Sequence, residues 1–221
     1  RGLGDVYKRQ ELHTHTSEGS RCALITAKEL IEDYAKENID VVVITNHYSK
    51  NTYERFKNDL KNNYLKGYLE AKKEAQKYGI TVLLGMELNL STHPNDYLIY
   101  GIDENFIERH PLIFDLPLEK VCQIVYLENC LIFQAHPCRK PCVIKGADTL
   151  DGYEINYSPF HQNNNEQLLK WLKEQEKSYY IICGSDCHGH EGVAKGIFKT
   201  SKIVTTQKDL LNALTEKKTR L

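Results

Sequence analysis

Asp40-Val41-Val42-Val43-Ile44-Thr45-Asn46-His47 is the stretch that decides the fold. Four β-branched residues stand in a row with no polar residue alternating among them. Such a run suits a strand covered on both faces, as strands of a parallel sheet are. It ends in a histidine. Upstream, Thr26-Ala27-Lys28-Glu29 reads as a capping box opening a helix over residues 27–38, with Leu30, Ile31, Tyr34 and Ala35 on one stripe. Further upstream, Glu11-Leu12-His13-Thr14-His15 reads as a short strand. Alternate residues of a strand point to one side, so His13 and His15 can turn both imidazoles onto one metal ion.

The same unit recurs downstream. A long polar helical stretch over residues 53–78 is stopped by Gly79, and an apolar strand over 80–84 runs into Gly85-Met86-Glu87. Asn95-Asp96 precedes a strand over 97–102, and residues 118–129 read as a helix. Leu131-Ile132-Phe133 runs into Gln134-Ala135-His136-Pro137. A strand over 153–156 and a helix over 162–176 follow. The strand over 179–183 then runs into Gly184-Ser185-Asp186-Cys187-His188. Ile203-Val204 reads as a last short strand, and Thr206 to Asp209 cap a terminal helix with Leu210, Leu211 and Leu214 inside.

This alternation predicts a single α/β domain whose mostly parallel sheet of about seven strands closes into a barrel or near-barrel. In such folds the site lies at the carboxyl ends of the strands. His13, His15, His47, Glu87, His136, Asp186 and His188 all fall there. That many ligand-type residues on one rim point to a metal centre.

Composition narrows the class. The 221 residues are 41% hydrophobic and 27% charged with a formal net charge of -1, an ordinary globule with no bulk attraction to nucleic acid or anionic membrane. No apolar run approaches the roughly 20 residues of a spanning helix, so no membrane association is expected. The cysteine count of seven is odd and contains no pair of CxxC knuckles, which argues against a zinc ribbon and for reduced thiols in the cytoplasm. Cys183 and Cys187 are expected to be small buried residues. Asp5-Val6-Tyr7-Lys8-Arg9-Gln10 matches what a common transposon adapter of sequencing libraries encodes in frame. Residues 1–10 are therefore expected to be a foreign read artefact, leaving 11–221 as the domain.

The pieces His13-Thr14-His15, Thr45-Asn46-His47, Gly85-Met86-Glu87, Ala135-His136-Pro137 and Ser185-Asp186-Cys187-His188 together resemble the polymerase and histidinol phosphatase (PHP) family of metal-dependent phosphoesterases. The resemblance covers nearly all of residues 11–221. It implies a distorted seven-stranded β/α barrel holding two or three metals. By that resemblance His13, His15, Glu87 and Asp186 hold the first. Glu87 bridges to a second with His136 and Asp96, and His47, His188 and Glu18 hold a third. The family's second motif is usually Thr-Asp-His; Asn46 here removes a carboxylate that would orient a ligand.

Mixed His and carboxylate ligands suit Zn, Mn or Fe. Close metals can hold a bridging hydroxide and clamp a phosphate. The expected activity is hydrolysis of a small phosphomonoester, with Glu87, Asp186, His188 and Arg139 in the reaction. Arg139 lies three residues after His136, within reach of a phosphate oxygen. Arg21 is a weaker candidate, and His161 lines the mouth or the surface. Glu154 and Asn156 end a strand on the rim and are candidates to orient a ligand. The alternative is a nuclease or nucleotide phosphodiesterase, with nucleic acid only as substrate; Tyr48, Lys50 and Tyr53 near the rim are compatible with base stacking. An amidohydrolase and a non-catalytic module of the same fold fit less well.

Overall fold

In the computed structural model, which describes residues 7–146, 149–216 and 218–219, Val41 to Ile44 form a strand buried along its whole length. Its alternate residues serve two different cores. Val41 and Val43 join the cluster inside the barrel, whereas Val42 and Ile44 join the larger cluster beneath the helices. Both faces are covered, which is why the run contains no polar residue.

The strands are β1 (Lys8–Thr14), β2 (Val41–Ile44), β3 (His47–Tyr48), β4 (Thr81–Asn89), β5 (Asp96–Tyr100), β6 (Leu131–Gln134), β7 (Gly152–Asn156), β8 (Tyr179–Gly184), β9 (Ile197–Thr200) and β10 (Lys218–Thr219). The helices are α1 (Ala27–Lys36), α2 (Lys50–Phe56), α3 (Leu60–Ala75), α4 (Phe106–Arg109), α5 (Leu118–Leu127), α6 (Asn165–Lys173) and α7 (Gln207–Leu214). The sheet order is β10-β8-β7-β6-β5-β4-β2-β1-β9, with β3 paired to β4. β1, β2 and β4 are parallel, as are β6, β7 and β8; β5 runs antiparallel to both its neighbours. Beyond β8 the ring closes on β1: His15 N donates to Cys187 O at 2.9 Å, and Cys187 N donates to His13 O at 3.2 Å. β9 lies antiparallel on β1. The result is the expected distorted α/β barrel, nearly closed, in one domain.

Inside, Leu12, Leu83, Leu98, Tyr100, Phe133 and Ile182 pack with Leu210, Ala213 and Leu214 of α7. Gln207 donates to the carbonyls of Leu84 and Ile102, so α7 plugs the end of the barrel away from the histidines. The histidine end stays open. Among the described residues no helix is long and apolar enough to cross a membrane.

Local signals set several bounds. Thr26 and Thr206 both form capping boxes, with Glu29 and Asp209. The helix expected over 53–78 is instead two helices separated by a 3-10 turn at Lys57–Asp59, because Ser49 caps an earlier start and Asn58-Asp59 favour a turn. β4 continues past Gly85 to Asn89; a Cβ at Gly85 would lie 2.9 Å from Thr45 and Val43 side-chain carbons. The strand expected at Ile203-Val204 is absent. Val204 is buried in a loop under the barrel and Ile203 is exposed, and the strand nearby is β9. Cys187 is fully buried as expected, and Cys183 is partly buried.

Residues 1–6 lie outside the described residues, and the expectation that residues 1–10 are foreign falls partly on them, while Lys8, Arg9 and Gln10 begin β1, where the Asp40 carboxylate accepts from Lys8 Nζ at 2.8 Å and from Arg9 N at 2.9 Å. Gln10 lies opposite Val41 and Phe198. Its side chain is fully buried and neither amide atom has a hydrogen-bond partner. A residue shaped to this place would be apolar.

Candidate metal centre

The register of β1 shifts between Glu11 and Thr14 as it pairs with β2. Glu11 turns outward to the Tyr34 hydroxyl of α1 while its other oxygen accepts from His13 N and Ser185 N. His13 and His15 turn into the barrel mouth. Across the mouth, His136 (φ 30°) and Asp186 (φ 47°) both adopt left-handed backbone conformations. Non-glycine residues pay strain there and hold it where the surroundings enforce it. Here the ring closure through Cys187 enforces it at Asp186, and at His136 its N–H donates to Glu154 at 2.9 Å. Gly184 permits the crowding, since a Cβ there would fall 2.5 Å from His13 Cβ and 2.6 Å from Glu154.

Four atoms converge. His13 Nε2 and His15 Nε2 stand 3.1 Å apart. His13 Nε2 is 3.2 Å from Glu87 Oε2 and 3.3 Å from Asp186 Oδ1, and His15 Nε2 is 3.1 Å and 3.2 Å from the same two oxygens. A tetrahedral ion with ligands at about 2.0–2.1 Å has ligand-to-ligand edges of about 3.3–3.4 Å.

Neighbouring groups fix which ring nitrogens carry protons. His13 Nδ1 faces Glu154 at 2.7 Å, so it donates. Ser20 gives its hydroxyl proton to Asn46 Oδ1 at 3.0 Å and accepts from His47 N at 3.0 Å, so His15 Nδ1, 3.1 Å away, also donates. Both Nε2 atoms then present lone pairs to two carboxylate oxygens. Those oxygens are buried and lack hydrogen-bond partners. Four acceptors facing one another in a buried site fit a cation. Without one the strain falls on the protons. Burial pushes His13 down, but Glu154, Glu87 and Asp186 push it well above its ordinary value; burial pushes Glu87 up, but His13 and His47 hold it well below the carboxylate range.

The sequence profile of the PHP domain matches residues 11–218. This chain belongs to the PHP domain family. The PolC-type DNA polymerase III of Oceanobacillus iheyensis is 26% identical over 154 residues, which is 70% of this chain and 9% of that polymerase. A two-domain protein of Bacteroides vulgatus, described as containing a predicted PHP-like metal-dependent phosphoesterase, superposes with a TM-score of 0.65 at 14% identity, over 96% of this chain and 63% of that one. A lesion-specific endonuclease of Pyrococcus furiosus superposes with a TM-score of 0.64 at 14% identity, over 95% of this chain and 56% of that one. At such identities the structural likeness speaks to the fold.

In this PHP domain Glu87 faces two ways. Oε2 belongs to the four-atom cluster and lies 2.9 Å from His47 Nδ1, while Oε1 lies 2.9 Å from His136 Nε2. Asp96 Oδ2 is 3.9 Å from the same His136 nitrogen. It stands at the beginning of β5, not the end of a strand. Because β5 is antiparallel, with Asp96 opposite Asn89, its amino end is on the open rim. Burial and Glu87 push Asp96 upward. His15, His47 and His188 form a further group, His15 stacking on the other two rings at 4.4 Å and 4.2 Å.

Glu18 is placed elsewhere. Both its oxygens accept from Ala27 N at 3.1 Å, at the amino end of α1, where unpaired N–H groups and the helix dipole attract a carboxylate. Near His188 stands Cys22, which sequence reasoning did not single out. Burial raises its thiol, but hydrogen bonds with His188 and His47 outweigh this and bring it to about 6. Asn46 acts through the loop beside His15: besides Ser20 it binds Thr16 N and Thr16 Oγ1. Cys142 lies 3.8 Å from His136 Nδ1.

Arg139 reaches the centre. Its guanidinium donates to Asp186 at 2.7 Å, Asn156 at 2.9 Å and Asn163 at 3.0 Å. His161 lines the mouth with Phe160 and Leu24. Tyr48 is fully buried with its hydroxyl on Pro111 O, and Tyr53 packs against Phe114, so neither is presented for stacking. Arg21 and Lys50 are exposed.

Proposed function

We propose that this PHP domain is a metal-dependent phosphoesterase of the cytoplasm that hydrolyses a small phosphomonoester. Two or three divalent ions (Zn, Mn or Fe) would be held by His13, His15, Glu87 and Asp186, by Glu87, Asp96 and His136, and by His47 and His188. Bound ions of this kind supply a nucleophile from water and neutralise charge on the phosphate.

The observation that carries the reading is the place of Arg139. It stands where two cavities meet. One, of about 410 Å³, is lined by His47, Asp96, His136, Asp186 and His188. The other, of about 750 Å³, is lined by residues 137–140, His161, Asn163 and Gln167. A terminal phosphate fits the first, with its organic part in the second. Arg139 then does two things. It holds Asp186 in place through one nitrogen, and the second N–H of each terminal nitrogen is left to meet a phosphate oxygen. Asn156 and Asn163 fix the guanidinium plane, so little rotamer freedom is lost when the phosphate arrives. Glu154 keeps His13 Nδ1 protonated and Ser20 does the same for His15, so each ring offers a lone pair to an ion.

A second reading has its own support. A cavity of about 320 Å³ on the other side of His47 is lined by Arg21 and Arg55, so cations flank the centre on both sides, as a diester strand lying across it would need. The deciding experiment is turnover by metal-reconstituted protein on a panel of small phosphomonoesters and on short single-stranded and duplex oligonucleotides. Monoester turnover is expected to dominate. Robust diester cleavage with no monoester turnover would overturn the leading reading.

A further inference from the structure

Cys22 has no part in the roles above, yet it sits against two of the histidines. Its Sγ is 3.1 Å from His188 Nε2, and it lines the same two cavities as His47. His188 Nδ1 donates to the Asp186 carbonyl at 3.0 Å. The lone pair of His188 is therefore on Nε2, aimed at the sulfur. The loop carrying Cys22 is pinned to the same histidine, since Leu24 N donates to His188 O at 2.7 Å. Glu87 Oε2, fully buried and without a hydrogen-bond partner, approaches His47 Nδ1 at 2.9 Å. Glu18, the carboxylate that the family pattern would bring here, is held by α1 instead.

We propose that Cys22 is a metal ligand, making with His47 and His188 a thiolate-bearing position at which this centre takes a thiophilic divalent ion in preference to manganese. In tetrahedral zinc, with sulfur at about 2.3 Å and nitrogen at about 2.0–2.1 Å, the sulfur-to-nitrogen edge is about 3.5–3.6 Å. The thiol reaches that separation from His188 with a shift of a few tenths of an ångström. The donor sets of the centre then differ in kind. Nitrogen with carboxylate oxygen makes up the four-atom set of His13, His15, Glu87 and Asp186, and such a set accepts manganese, while on the other side of Glu87 the Cys142 thiol stands with Asp96 and His136. Two nitrogens with one sulfur favour zinc, cobalt or cadmium. Three protein donors leave a fourth position open toward the cavity that Cys22 shares with Arg139 and Asp186, where substrate would lie. The inference rests on the metal-centre part of the proposed function and on no step of the reaction.

The test is spectroscopic. The full chain, reduced and stripped with chelator, is titrated with Co2+ alone, beside Cys22→Ser. Because Cys142 stands with Asp96 and His136, Cys142→Ser is the background for both proteins, called wild type and Cys22→Ser here. Wild type should develop a near-ultraviolet thiolate-to-cobalt charge-transfer band that Cys22→Ser lacks, with equal circular dichroism in both. In a second arm, Zn2+-loaded protein is challenged with excess Mn2+ and a chelator. One zinc should be retained in wild type and released at least ~10-fold more readily from Cys22→Ser. No band in wild type, or a band that persists in Cys22→Ser, overturns the assignment; equal zinc release overturns the selectivity. Neither arm measures turnover, so a protein with the band but with no phosphoesterase activity would remove the proposed reaction and leave Cys22 as a ligand.

Discussion

Replacing Glu154 by glutamine tests how this PHP domain prepares its histidines. The Glu154 carboxylate is fully buried and accepts from three donors: His13 Nδ1 at 2.7 Å, His136 N at 2.9 Å and Asn156 Nδ2 at 3.0 Å. Oε1 takes the first and Oε2 the other two. Glutamine keeps the shape but turns one of these oxygens into a donor. If its carbonyl stays on His13, its amide faces the N–H of His136 and the Asn156 amide; if it flips, His13 meets a donor and the lone pair on Nε2 is no longer guaranteed. Either way a charge-assisted hydrogen bond becomes neutral or is lost. Such a bond contributes about 1.5–3 kcal/mol, which is roughly 10–150-fold in an equilibrium constant. Chelator competition should therefore show metal at the His13, His15, Glu87 and Asp186 position held roughly 10–150-fold more weakly, matching the range for residues that orient metal-binding histidines. Excess metal should restore much of the turnover. Unchanged metal affinity, with circular dichroism intact, would refute the view that Glu154 sets the state of His13.

Three other outcomes are expected. Glu87→Ala should lower turnover at least ~10²-fold and reduce the metal content by more than one ion, because its two oxygens face different clusters; elemental analysis and rates check both. Arg139→Ala should weaken phosphomonoester hydrolysis by about 1.5–3 kcal/mol in transition-state terms and diester cleavage by less, with Arg139→Lys recovering only part, as measured by kcat/KM on both substrate types. Gln10→Val should raise stability by about 1–3 kcal/mol, visible as a higher Tm, because a buried amide without partners is replaced by a side chain that suits a covered strand; an unchanged or lower Tm would show that the amide is satisfied.

The sequence by itself determined what is local or periodic. The unbroken Val41 to Ile44 run specified a strand between two cores, and the capping boxes at Thr26 and Thr206 set helix starts to the residue, since each depends on neighbours within four positions. Most of the metal-type residues were legible for the same reason: they follow apolar runs directly, and parallel strands carry their carboxyl ends to one rim. Tertiary structure decided the rest. Asp96 lies on that rim only because β5 runs backwards, a property of its partners and not of its own five residues. Glu154 holds His13 across 141 residues of chain, and no periodicity records such a pairing. Which residue of the loop after His15 approaches His188 was equally hidden. The amino end of α1 takes Glu18, and the backbone bond from Leu24 to His188 brings Cys22 there instead, because an unpaired helix terminus competes for the nearest carboxylate wherever the fold sets it down.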